Sequence, residues 1–161
     1  MFYGAGDEAT AIAETYTPKP GTPGAVTVAK FRTARDAWVV DFTALPVVPS
    51  LFDEASWHLR GPICFLRDFV EDLAKPIEKD GREHVEYVPT QIVTEYLRHA
   101  FRTEAGHSVQ GVIYQSARNG GGKCCVLFVE NHQCCEVAPG WENDKEKWLG
   151  LTGKPKRHVY P

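Results

Sequence analysis

The segment PTQIVTEYLRHAF, residues 89–101, excludes more architectures than any other stretch of the chain. Ile92, Val93, Tyr96, Leu97, Ala100 and Phe101 fall into two adjacent apolar columns at helical spacing. Pro89 suits the first turn, where no backbone N–H is required, and Gly106 supplies a stop. A stripe that broad faces a core and needs a cover of comparable width. A sheet is the natural cover, and two apolar runs that follow, QGVIYQS and KCCVLFV, read as buried strands. The expected core is therefore a helix packed on a sheet.

The rest of the chain fills in around that core. MFYGA reads as a buried strand, and its position at the start of the chain predicts further sequence upstream. Asp7 suits a helix N-cap, because its carboxylate can accept from unpaired first-turn amides. Residues Asp7 to Tyr16 then form a short helix with Ala9, Ile12 and Ala13 on one apolar face and Glu14 beside it. TPKPGTPG (17–24) is a loop, since its prolines and glycines exclude regular structure. AVTVAKF (25–31) and AWVVDF (37–42) are strands, and LPVVPSLFD is an irregular connection. A second helix runs from Ser56 to about Ile77, with Leu59, Ile63, Leu66, Phe69, Val70 and Leu73 at helical spacing. Pro62 lies near its start and Pro76 ends it. EKDGREHVEY is a charged linker. After Pro139, Trp141 and Trp148 stand seven apart, which places both on one helical face, and at least one is expected to pack on the domain. Strands and helices without strict βαβ alternation give an α+β class. The division is one domain over residues 1–138 and a C-terminal tail over 139–161.

Composition narrows the partners. The 161 residues suffice for one domain with a sizeable core. A formal net charge of −3 leaves no basic excess to hold a phosphate backbone, which argues against nucleic acid. No apolar run approaches a membrane span, and no basic stretch precedes an apolar one at the N-terminus. A cytoplasmic protein without membrane contact is the expectation. The five cysteines, Cys64, Cys124, Cys125, Cys134 and Cys135, are an odd number and carry no disulfide signature. Adjacent side chains in a strand point to opposite faces, so the two vicinal pairs do not readily converge on zinc. The plainer reading has one cysteine of each pair packed inward as a small hydrophobe. A cysteine-based metal module is the weakest of the functional readings, and no metal is expected.

The chemical motifs are few. NGGGK resembles a phosphate loop, but Ala117 stands where the first glycine belongs and Cys124 where Ser or Thr belongs. Its expected role is a turn between two strands, with Asn119 and the glycines supplying positive φ. No H-E-x-x-H or G-x-S-x-G occurs, and the six histidines are scattered. Glu14 closes an alanine-rich helix, and Ser116 ends the run GVIYQS at the rim of a glycine-rich turn. Taken alone, each reads as an ordinary surface polar residue.

Together, FYGAGDEATAIAET, YVPTQIVTEYLRHAF and GVIYQSARNGGGKCCVLF resemble the RES domain family, named for its Arg, Glu and Ser residues. VTVAKFRTARDAWVVDFTALPVVPSLFD looks like the middle of its longer members. The likeness covers residues 2 to about 130. Tyr3 and Glu14 fall on the family's strand tyrosine and glutamate, Ser116 on its serine, and Arg118 on the stretch that follows. The resemblance implies a fold similar to ADP-ribosyltransferases, a split β-sheet around an NAD cleft. It implies an NAD-consuming, toxin-like enzyme that cleaves the nicotinamide–ribose bond, with phosphate or water as acceptor, or that modifies a protein. Glu14 and Ser116 would be catalytic, and Tyr3 and Arg118 would bind substrate. NAD would be a substrate rather than a resident cofactor, phosphate a co-substrate, and an Xre-like antitoxin the protein partner. The family's arginines precede the FYGA strand, in a stretch like GR-x-N-P-x-G and further upstream, and this sequence begins after that point. The alternative reading is therefore an inactive RES remnant or interaction module.

Overall fold

A computed structural model describes residues 1–17, 23–74 and 88–160. Most of the TPKPGTPG loop, the linker EKDGREHVEY and the Pro76 stop lie outside the described residues. Strand β1 (Phe2–Ala5) leads into helix α1 (Glu8–Thr15), followed by β2 (Gly24–Thr33) and β3 (Val39–Asp41). Helices α2 (Arg60–Ala74) and α3 (Val88–His99) precede β4 (Gly111–Gln115), β5 (Lys123–Leu127), β6 (Cys134–Glu136) and β7 (Leu149–Tyr160). The fold is mixed, with two sheets and three helices among the described residues, in keeping with the α+β class.

The first sheet has the order β1-β5-β4-β3, with β3 parallel to β4 and the other pairs antiparallel. Directly paired residues share a face. Tyr3 pairs with Val126, Ala5 and Tyr114 with Cys124, and Val112 with Val126, so these side chains stand together. That is the face the helices cover. Val112 and Val126 are buried with Phe42, with Phe69 of α2 and with Leu97 of α3. The helix-on-sheet core is thus as the apolar columns required, with one correction. Only the Val93 and Leu97 column packs, whereas Ile92 and Tyr96 are exposed. The strand expected through Phe42 stops at Asp41. Its carboxylate accepts from Thr43 N–H at 2.8 Å and Thr43 Oγ1 at 2.6 Å and caps a 3-10 turn.

The second sheet has the order β2-β7-β6. Its core, Val129, Trp148 and Leu149, packs with Phe2 and Leu127 from the opposite face of the first sheet. Trp141 and Trp148 are both buried, but no helix joins them: Trp141 opens a 3-10 turn and Trp148 precedes β7. β1 is an edge strand rather than a buried one, and Tyr3 is 63% exposed. Of the vicinal cysteines, Cys124 is buried and Cys125 half-buried, while Cys134 and Cys135 are both half-buried.

Candidate functional site

Helix α1 lies where the two sheets meet, and the chemistry of its first turn fixes it there. Asp7 Oδ1 accepts from Thr10 N–H at 2.8 Å, the N-cap bond expected from the sequence. Asp7 Oδ2 accepts from Thr10 Oγ1 at 2.6 Å. These bonds hold the Asp7 carboxyl below the usual range, the Thr10 hydroxyl bond being the larger cause. The helix buries Thr10 completely, whereas Ala9 is exposed. Its innermost position is therefore polar, contrary to the apolar face expected, because it meets a hydrogen-bonding turn.

That turn is residues 116–122, between β4 and β5. Ser116 N–H donates to the Gly122 carbonyl at 2.8 Å, and Gly122 N–H donates to the Asn119 carbonyl at 2.9 Å. Only Gly121 in it has positive φ, at 88°. Asn119 does not adopt the left-handed region expected of it. Its side chain reaches out instead, and Nδ2 donates to Thr10 Oγ1 at 2.8 Å.

Glu14 and Ser116 meet at the other end of α1. Ser116 Oγ donates to Glu14 Oε1 at 2.6 Å, a bond between residues 102 apart in sequence. The same oxygen accepts from Asn119 N–H at 2.9 Å and Arg118 N–H at 3.2 Å. A hydroxyl has one proton and two lone pairs. All are committed here, so buried Ser116 aims its proton at the carboxylate and is not set up as a nucleophile. Arg118 is exposed, and its Nη1 donates to Thr17 Oγ1 at 2.7 Å.

Tyr114 and Cys124 extend the site across the sheet. Burial pushes the Cys124 thiol up to about 11, and the charge of Glu14 adds to this. Burial also raises Tyr114, with Cys124, Glu14, Cys125 and Tyr3 acting in the same direction. Glu14 and Tyr3 therefore both lie within electrostatic reach of Tyr114. The structure joins Glu14 and Ser116 by a direct bond. It sets Tyr3 on the same sheet face as Tyr114, and it places Arg118 on the turn two residues after Ser116.

Sequence reasoning gave Thr10 and Tyr114 no role, and it read Asn119 as a turn residue and the Cys124–Cys125 pair as packing rather than as neighbours of the Glu14–Ser116 pair. A signal existed for Tyr114, which precedes Ser116 by the two-residue period of a strand and so shares its side. None existed for the Asn119–Thr10 contact, which arises only in three dimensions. Among the described residues, no group of three or more His, Cys, Asp and Glu side chains converges as a metal site.

Comparison with known proteins bears on the same segments. No curated protein and no solved structure gives a significant match. The family model of the RES domain matches residues 1–147, a stretch that holds the first sheet, the three helices among the described residues and the Glu14–Ser116 pair. On that match, which spans most of its length, the chain belongs to the RES domain family.

Proposed function

We propose that this protein is a toxin-like enzyme that consumes NAD by cleaving the nicotinamide–ribose bond, with phosphate or water as acceptor. The RES family is generally associated with NAD-related toxin function. What supports the reading in this chain is the 2.6 Å bond from Ser116 to Glu14, which ties the carboxylate of α1 to the 116–122 turn.

The chemistry asks for such a group. Breaking the bond sends its electron pair to the ring nitrogen, so nicotinamide leaves neutral without a general acid. Positive charge grows on the ribose, as in glycoside cleavage. Glu14 stabilises that charge and holds the ribose hydroxyls. A preorganised carboxylate contributes about 3 kcal/mol for a hundredfold acceleration. An oxygen of phosphate or water then bonds to the ribose carbon, and with water a proton is released. Ser116 orients Glu14, Tyr3 stacks on the nicotinamide ring, and Arg118 offers charge to the pyrophosphate. In this reading the two sheets correspond to the split sheet of ADP-ribosyltransferases. The protein works in the cytoplasm under an Xre-like antitoxin.

The test is incubation with NAD, with and without phosphate, following nicotinamide release. Wild-type protein should release nicotinamide, and phosphate dependence identifies the acceptor. Glu14→Gln should abolish release with the fold retained, because Glu14 acts through charge. Full turnover in a folded Glu14→Gln variant rules out the catalytic assignment. No release by wild-type protein leaves the interaction module.

A further inference from the structure

Thr10 and Glu14 are four residues apart in α1, so they lie on one helix face, and both bond to the 116–122 turn. The two contacts are linked through Asn119. Its backbone N–H occupies a lone pair of Ser116 Oγ, and its side chain donates to Thr10 Oγ1. Thr10 Oγ1 in turn donates to Asp7 Oδ2, so a continuous hydrogen-bond chain runs from Asn119 through Thr10 to Asp7. The approach is close: a Cβ on Gly122 would stand 2.3 Å from Thr10 Oγ1 and 2.9 Å from Thr10 Cγ2.

We infer that Asn119 is a positioning residue for the carboxylate, setting the separation between α1 and the turn at which the Ser116 proton falls on Glu14. The inference rests on the reading of Glu14 as the catalytic carboxylate. Asn119 touches neither substrate nor Glu14 in this role. Its side chain acts through Thr10, by fixing the helix, while its backbone N–H, which an Ala substitution keeps, donates to Ser116 Oγ.

Two measurements test it. In nicotinamide-release kinetics, Asn119→Ala should lower kcat by about tenfold to a hundredfold with KM nearly unchanged, the effect of a displaced catalytic group. Thr10→Val, which keeps the shape and loses the hydroxyl, should do the same, and Thr10→Ser should restore kcat. Adding Asn119→Ala to Ser116→Ala should cost less than the sum of the two single effects, because both act on the placement of Glu14, and full additivity overturns the inference. An unchanged kcat in folded Asn119→Ala overturns the inference, and so does a raised KM alone. The second measurement needs no activity. In a crystal structure of Asn119→Ala, Ser116 Oγ and Glu14 Oε1 should have moved beyond hydrogen-bond distance, and their retention at wild-type separation overturns the inference. Absence of nicotinamide release by wild-type protein defeats the functional reading alone, and the crystal structure then decides on Asn119.

Discussion

Cys124 stands against the carboxylate that Ser116 holds, and its position has a consequence for pH. Its thiol is neutral at physiological pH, with its titration raised to about 11 by burial and by the charge of Glu14. The unfolded chain loses the same proton near 9.0. A raised folded value means the contribution is complete below the unfolded value and is lost as pH climbs through the folded one. Stability should therefore decline between about pH 9 and 11. Urea unfolding across that range should show a shallower decline in Cys124→Ala, and equal slopes in the two proteins would refute the assignment. At neutral pH, Cys124 should also react with alkylating agents more slowly than half-buried Cys134 or Cys135, as peptide mapping after brief exposure would show.

Helix α1 and the turn it meets form one unit, and Gly122 is where that unit is tightest. Gly122→Ala forces a methyl into the Thr10 side chain and should destabilise by about 1–3 kcal/mol, read from urea midpoints. Asp7→Ala removes the cap and should lower the urea midpoint. Wild-type stability in Gly122→Ala would show that the helix gives way freely. The elements visible in the sequence were those whose burial shows in side-chain spacing. α3 was legible from Val93 and Leu97, and β4 and β5 from their apolar runs. The extra column, Ile92 and Tyr96, misled because an apolar residue at helical spacing need not be buried. β7 was invisible for the opposite reason. LGLTGKPKRHVY pairs with β2 along most of its length, yet only Leu149 and Gly150 are buried, and the register shifts opposite Val28 and Lys30. Backbone pairing holds that strand, with an irregularity that accommodates Gly153 and Pro155. Of the candidate site, Glu14 and Ser116 stood out through family likeness, whereas Thr10 gave no signal, its burial arising only where α1 meets the 116–122 turn.

The whole molecule depends on that late strand. β7 is the centre of the second sheet and supplies buried Leu149, and it also braces α1. His158 Nε2 lies 3.0 Å from Glu8 Oε1, and the Tyr160 ring stacks on Tyr16 with centroids 4.8 Å apart. A chain cut after Trp148 should lose the second sheet and the support of α1 together. Circular dichroism should show lost strand signal, and the nicotinamide release proposed to depend on Glu14 should fall. A shortened chain that unfolds at the wild-type temperature would show that the first sheet and its helices stand alone. The order of pairing also governs how the protein is made. Among the described residues β2 pairs in its sheet with β7 alone, so Val26 must wait for His158 to leave the ribosome. Until then a nascent chain displays an unpaired strand, open to pairing with its neighbours. The first sheet meanwhile has everything it needs once β5 has emerged. The helix that presents Glu14 is braced only afterwards, so the Glu14–Ser116 pair gains its full support only once β7 has been synthesised.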